Sequence, residues 1–262
     1  MVKKRSLPRG WIKVCAPEIF YYEVAYGTNR VKETQETPLV GVLLLLQHPS
    51  VFTMGHSGIV ENIIVPEETL VKEGIPVFHT NRGGDITYHG PGRLVGYPIL
   101  NLREDGLTVH QYVWNLEEIV IRTLAGFGIG GQRISGRREA WVGRQKVCAL
   151  GLRVSGEVST HGFALNVNTN LKYFTYIIPC GITGVSITSV SKLLGHEVEI
   201  GEIQENLLRH FSQVFRLTFE EYKNTGAAMG FRGVASAPFV RSSFQADKMF
   251  KGIGRPHGNV EG

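Results

Sequence analysis

Apolar positions along the chain follow two rhythms. Residues 39–46 (Leu-Val-Gly-Val-Leu-Leu-Leu-Leu) form a continuous apolar run between Pro38 and Pro49. Such a run predicts a strand buried on both faces. Ile75–Thr80 and Leu94–Leu102 predict further strands, and Pro98 marks the second as a sheet edge or a bend. Pro66-Glu67-Glu68 opens a short helix that Gly74 stops, with carboxylates at the positive end of the helix dipole. The strongest helical signal begins at Thr108, which with Gln111 makes a capping box. Val109, Tyr112, Val113, Leu116, Ile119, Val120, Leu124 and Phe127 then recur at helical spacing until Gly126 and Gly128. Residues 140–154 and 157–168 predict two strands joined at Ser155-Gly156. A short helix is expected from Thr188 or Ser189 through Leu194, and an amphipathic one over Glu202–Phe215. Beyond Tyr222 the periodicity stops, which predicts a folded domain over residues 1–222 and a disordered basic tail over 223–262. The mixture predicts an α/β or α+β fold built on one mainly mixed β-sheet with packed helices.

Charge changes the picture less than the basic total suggests. The chain carries a net charge of +5, of which the first thirteen residues supply +5 and residues 223–262 supply +4. Removing both leaves −4 for residues 14–222, so the expected body is mildly acidic and a nucleic-acid groove is not predicted. The longest apolar run, Val42–Leu46, is too short to span a bilayer, and the opening Lys3-Lys4-Arg5 leads to Pro8 and Gly10 instead of a secretory core. A cytoplasmic protein is expected, with a mitochondrial address as the alternative. Three cysteines in 262 residues fit reduced thiols better than a disulfide framework.

Four segments carry candidate chemistry. In Arg82-Gly83-Gly84-Asp85-Ile86-Thr87-Tyr88-His89-Gly90-Pro91-Gly92 the bare backbone lets a ligand approach the main chain, while Arg82 and His89 offer donors; a tight turn with a core histidine is the plainer account. Cys180 lies in Ile178-Pro179-Cys180-Gly181-Ile182, where the flanking residues force a turn that exposes the sulfur. A helix N-terminus nearby would favour its thiolate, whereas Cys15 and Cys148 read as small buried hydrophobes. Strand alternation puts Lys146 with Cys148, Leu150, Leu152 and Val154, so it is either a solvated strand end or a desolvated amine suited to proton transfer. Thr160, Gly162, Ala164 and Asn166, with Ala149 and Gly151, offer small side chains that could border an alkyl channel or simply allow close packing. The same alternation sends His161 to the opposite face with Phe163, Leu165 and Val167, as a core histidine.

Gly126-Phe127-Gly128-Ile129-Gly130-Gly131 spells a dinucleotide loop but ends a helix, and no phosphate loop or nucleophile elbow is present. The nine histidines show no zinc-ligand spacing, so no metal is expected. From Leu43 to Leu194 the chain resembles the octanoyl-carrier:protein octanoyltransferases of lipoate biosynthesis. The resemblance rests on Leu46-Gln47-His48-Pro49-Ser50-Val51-Phe52-Thr53-Met54-Gly55, Arg82–Gly92, Leu94-Val95-Gly96-Tyr97-Pro98, Trp141-Val142-Gly143, Lys146–Gly151, His161–Val167 and Pro179–Ile182. It implies the fold of lipoate and biotin protein ligases. It also implies Cys180 as acyl-thioester nucleophile, and Lys146 as the group that activates it and shuttles protons. Arg82, Gly83, Gly84, Asp85, Ile86, Thr87, Tyr88 and His89, with Ala149, Leu150 and Gly151 and with Gly162, Phe163 and Ala164, would wrap the acyl chain and its carbonyl.

The donor implied is octanoyl-acyl-carrier protein, whose phosphopantetheine thioester is already activated, so no cofactor of the enzyme's own is expected. The acceptors implied are lysines of the lipoyl domains of 2-oxoacid dehydrogenase complexes and of the glycine cleavage H protein. Arg93 stands where glutamine is usual in that family, and is expected to add a charge at the pocket's approach; Glu139-Ala140 replaces the usual Gly-Val. The alternatives are an ATP-dependent lipoate or biotin ligase on the same fold, and a non-catalytic binder of acyl carriers or lipoyl domains.

Overall fold

The computed structural model describes residues 19–26, 39–103, 105–181 and 184–220, and for 19–26, 39–42, 180 and 217–220 it describes the backbone alone. The tail beyond Tyr222, the basic N-terminus and Cys15 lie outside the described residues. In chain order the strands and helices are β1 (Ile19–Tyr26), β2 (Leu39–Leu46), β3 (Val51–Met54), α1 (Glu67–Glu73), β4 (Val77–His79), β5 (Ile86–His89), β6 (Arg93–Leu100) and α2 (Val109–Ala125). They continue with β7 (Glu139–Val142), β8 (Gln145–Ser155), β9 (Val158–Asn166), β10 (Ser186–Ile187), α3 (Val190–Leu194), α4 (Ile200–Phe215) and β11 (Leu217–Glu220).

Two sheets, not one, organise these elements. The larger has the order β10-β8-β9-β6-β2-β1-β11, with β7 on the other edge of β8; the smaller has the order β4-β3-β5. Antiparallel ladders dominate, and the parallel pairs are β10 with β8 and β3 with β4. The fold is therefore α+β. Helices α2 and α4 cover one face of the large sheet, burying Tyr112, Leu116, Ile119, Ile203, Leu207 and Phe211 against Leu43, Leu45, Leu94, Phe163 and Leu165. The small sheet has its own core of Phe52, Met54, Leu70, Ile75, Ile86, Tyr88 and Phe174. Leu44, Leu46, Val95 and Ala164 cluster on the face of the large sheet away from the helices.

Local signals shape the elements as their chemistry dictates. Thr108 accepts from Gln111 N at 3.2 Å while the Gln111 side chain accepts from Thr108 N at 2.9 Å, closing the capping box of α2. Gly74 ends α1 in the left-handed conformation, φ 67°. Leu43 to Leu46 are all buried, as a strand with both faces covered requires.

Three expectations change. Residues 140–154 are not one strand: Gly143, φ 57°, turns the chain between β7 and β8. Pro98 does not mark an edge, because β6 lies inside the sheet with Pro98 level with Leu43 of β2. It is tolerated there because the β6–β9 ladder is recorded only from Arg93 to Gly96. Ser159 takes over beyond it, its hydroxyl donating to Pro98 O at 2.9 Å and accepting from Leu100 N at 2.9 Å. His161 adopts a left-handed φ of 59°, which breaks the alternation of β9.

Close backbone approach explains Gly162. A Cβ there would stand 2.2 Å from Gly96 O and 2.6 Å from Pro98 Cδ. Gly162→Ala is expected to destabilise the fold by about 2 kcal/mol through strand displacement, read as a lowered urea midpoint with an unchanged m-value.

Candidate active site

The face of the large sheet away from the helices receives the small sheet, and the clamp between them is Arg93. This side chain is 1% exposed. It leaves β6, crosses to β5, and donates through Nη1 to Thr87 Oγ1 at 3.1 Å and to Tyr88 O, while its guanidinium lies 5.2 Å from the Phe174 ring centre. The expected charge at the pocket's approach is thus an interior cation.

The Arg82–Gly92 segment runs across the same face. Arg82 is buried and donates through Nε and Nη2 to Thr53 Oγ1, at 3.2 and 3.1 Å. Gly83 N donates to Leu152 O at 3.0 Å, fastening the loop onto β8. A Cβ on Gly151 would lie 3.1 Å from Gly83 O and 3.3 Å from Arg82 Cδ. The space over Gly151 and Gly162 is therefore filled by the protein's own chain, not by an open alkyl channel. Asp85 is buried and accepts from Ile59 N at 3.2 Å through Oδ1 and from Asn62 Nδ2 through Oδ2.

Alternation sorts the remaining predicted contacts. Thr87 meets Arg93, and His89 feels the Arg93, His48, Arg82 and His161 charges, while Ile86 and Tyr88 belong to the core of the small sheet. Ala164 lies on the site face, whereas Phe163 and Leu150 pack into the core under the helices. Those four apolar side chains, Ile86, Tyr88, Leu150 and Phe163, support the surrounding segments from the core side. Ala149 is level with Ala164 and Gly151 with Gly162 on adjacent strands.

Sequence reasoning missed a ring cluster on this face. His48 Nε2 and Tyr97 OH are 3.0 Å apart, His48 and His89 ring centres 5.3 Å, and Tyr97 and His161 ring centres 6.1 Å. His161, read as a core residue, instead pairs through Nε2 with Asn81 Oδ1 at 2.7 Å, because its left-handed backbone turns it out of the helix-side core. Burial first, and then the Arg93 charge, lower His48 to about 4. Burial and the Arg82 and Arg153 charges bring His161 to about 4 as well. His89 lies well below the usual histidine range, by burial and then Arg93. Burial also raises the Tyr97 hydroxyl to about 12. At neutral pH the cluster is uncharged imidazole and phenol beside two guanidiniums, a surface suited to neutral carbonyl groups or anions.

The Cys180 backbone forms a single 3-10 turn, Pro179–Gly181; its side chain lies outside the described residues, and with it the distance to Lys146. The turn is held by Ile178 N donating to Asn62 O at 2.7 Å and Gly181 N donating to Ile178 O at 3.0 Å. A Cβ on Gly181, φ 66°, would stand 2.8 Å from Asp85 Oδ2, so the turn rests on the buried carboxylate of the glycine-rich segment. Downstream, β10 joins β8 in parallel with Ile187 level with Lys146, and Thr188 N donates to Lys146 O at 2.9 Å. Helix α3 starts at Val190, and its first amides bond to Ser189 Oγ and Val167 O rather than to Cys180.

Lys146 is not a solvated strand end. It is 4% exposed, because β7 pairs on one side of it at Trp141 and β10 on the other at Ile187. Its Nζ lies 3.0 Å from Glu139 Oε1, a carboxylate that the sequence showed only as a departure from the family pattern. Cys148 behaves as expected of a buried hydrophobe: it is 0% exposed, and burial pushes its thiol up to about 12. Among the described residues no His, Cys, Asp and Glu cluster suits a metal ion, and no helix is long and apolar enough to cross a membrane.

Comparison with known proteins adds three findings. Residues 20–212 match the model of the lipoyl protein ligase A/B catalytic domain. The octanoyltransferase of Christiangramia forsetii is 44% identical over 204 residues, covering 76% of this chain and 87% of that protein. The octanoyltransferase of Solibacter usitatus is 49% identical over 173 residues, covering 66% of this chain and 78% of that protein. Among solved structures, lipoate-protein ligase A bound with ATP superposes with a TM-score of 0.60 at 18% identity, over 71% of this chain and 78% of that one. The bipartite lipoate protein ligase of Thermoplasma acidophilum gives 0.59 at 17% identity, over 71% and 76%. These two structures share the fold.

The ring cluster makes the fold acid-sensitive. The unfolded chain protonates its histidines near pH 6.5, whereas the folded chain resists until about pH 4 at His48 and His161. Stability from these groups is complete above pH 6.5 and is lost as pH falls toward 4. Thermal melts at pH 7.5 and 4.5 are expected to show a drop that His48→Gln makes smaller.

Proposed function

Because the chain belongs to the lipoyl protein ligase A/B catalytic-domain family and is an octanoyltransferase of lipoate biosynthesis, we propose that it works through a thioester on Cys180 with Lys146 as the proton-transferring partner. The donor is octanoyl-acyl-carrier protein. The acceptors are lysines of the lipoyl domains of 2-oxoacid dehydrogenase complexes and of the glycine cleavage H protein, and the enzyme is cytoplasmic.

The observation that carries this reading is the meeting of three segments. The turn bearing Cys180 rests on Asp85 of the glycine-rich loop, and the chain leaving it pairs at the level of Lys146, whose amine is buried. In the first half-reaction Lys146 takes the Cys180 proton and the thiolate attacks the octanoyl carbonyl. The carbonyl–sulfur bond to phosphopantetheine breaks, and the departing thiolate receives the proton back. In the second, the acceptor lysine amine attacks the Cys180 thioester, an amide forms, and Cys180 leaves while Lys146 takes the amine proton. The balance is thioester plus amine giving amide plus thiol, with no ATP and no bound cofactor. The tetrahedral oxyanion needs donors other than Gly83 N and Gly181 N, which are bonded to Leu152 O and Ile178 O.

The ATP-dependent ligase is less well supported. Relatives named octanoyltransferase are 42–49% identical, whereas the ligase bound with ATP is 18% identical and speaks only for the fold.

Incubation with octanoyl-acyl-carrier protein is expected to leave an octanoyl mass on the Cys180 peptide that hydroxylamine removes, and Cys180→Ser abolishes it. Lys146→Ala slows its formation by about a hundredfold or more in stopped-flow or quench assays. Wild-type formation in that variant would sink the pair, and turnover of octanoate with ATP but not of the carrier thioester would restore the ligase reading.

A further inference from the structure

We propose that Glu139 is a positioning residue of the acyl-transfer reaction: its carboxylate is a fixed partner of Lys146 and shares the ammonium with the Cys180 thiolate. The inference rests on the Cys180–Lys146 reading above and deepens it. Its basis is geometric. Glu139 Oε1 is 3.0 Å from Lys146 Nζ, with the two side chains 10% and 5% exposed. Glu139 is the first residue of β7 and lies level with Ala149, while Lys146 stands at the start of β8, so a two-strand hairpin fixes the pair. Glu139 Oε2 is buried and has no hydrogen-bond partner among the described residues. The carboxylate therefore has its recorded bond to Lys146 and a second oxygen free for a proton-bearing group. Glu139 also lines a groove with Ser135, Gly136, Arg137 and Arg138.

A buried ammonium is costly without a counter-charge. In the reaction the thiolate faces Lys146 only until Cys180 is acylated; in the thioester Lys146 has returned its proton and no sulfur anion remains beside the neutral amine to hold it. A carboxylate that stays in place removes this dependence: Lys146 keeps its position and its partner through both half-reactions. The cost falls on the thiol. While Glu139 holds part of the ammonium's field and adds a negative charge of its own, the thiolate is less favoured than it would be beside Lys146 alone. Glu139 thus trades thiolate formation for a lysine that stays in register after acylation.

Among the described residues, Arg137 and Arg138 flank Glu139 along the groove, and Arg137 lies over the Trp141 ring at 5.4 Å. Glu117 of α2 is bound by Arg133 at 3.1 Å; burial raises its carboxyl, Arg133 opposes that, and Glu139 adds to it. Cys148 on β8 and Arg93 on β6 lie on the sheet side, and the Cys148 thiol responds to Arg93, Lys146 and Glu139 after burial. None of these is a carboxylate bonded to Lys146.

The test is the pH dependence of Cys180 alkylation by iodoacetamide on the full chain, read by peptide mass, with melting temperature checked for each variant. Glu139→Gln is expected to move the midpoint down by about one pH unit, since the thiolate then has the ammonium to itself. Glu139→Asp, one methylene shorter but charged, is expected to shift it in the same direction by less, and it carries the test should the Gln variant not fold. Lys146→Ala is expected to move the midpoint up. If Lys146→Ala moves it and neither Glu139 variant does, Glu139 has no such role and the Cys180–Lys146 reading stands. If Lys146→Ala leaves the midpoint in place, that reading itself falls.

Discussion

A guanidinium buried between two sheets governs the geometry of this protein. Arg93 leaves the large sheet, bonds Thr87 and the Tyr88 carbonyl of the small one, and lies against the Phe174 ring. Removing a guanidinium from water costs several kcal/mol, which is recovered only if its donors meet acceptors held in place. The small sheet provides them, so the cation that is costly to bury is also what fixes one sheet over the other. Its field reaches further. Together with burial it keeps His48 and His89 uncharged, so the face on which the acyl group is expected to react presents neutral rings beside fixed positive charge.

Segments far apart in sequence then converge on one corner. Asp85 draws Ile59, Asn62 and the turn at Gly181 together, and the chain that follows enters the large sheet beside Lys146. Asn166 on β9 ties the same corner by donating to Thr188 O at 3.0 Å. No single segment could bring the Pro179–Gly181 turn and the strand that carries the buried Lys146 into one corner. The placement comes from a carboxylate, an amide and a two-residue parallel ladder acting on one short stretch of chain.

The sequence was most legible where local chemistry decides structure. The capping box of α2, the stop at Gly74 and the buried run of β2 each rest on neighbours a few residues away, and each appears where periodicity put it. The family resemblance likewise agrees with the matched lipoyl protein ligase A/B catalytic domain over residues 20–212. It failed where a backbone departure interrupts a period. The left-handed His161 turned a predicted core residue toward Tyr97 and Asn81, and the turn at Gly143 split one strand into a hairpin. Pro98 read as an edge because a missing donor usually needs one, yet Ser159 satisfied the interrupted ladder from within. Arg93 read as a charge at the pocket's approach, because a charged side chain is seldom interior. The acceptors that pay for its burial lie on another sheet, and no local pattern announces them.

The same logic decides between the two readings of Lys146, solvated strand end or desolvated amine. Its position near the start of β8 suggests an exposed end, but a strand's first residues are interior when both edges are occupied there. An amine in that setting needs a carboxylate, and Glu139, across the hairpin and seven residues away in sequence, supplies it. On the proposed reading the Glu139 carboxylate holds the amine whether the sulfur is bare or acylated, and lysine position and cysteine ionisation then rest on two interactions in place of one.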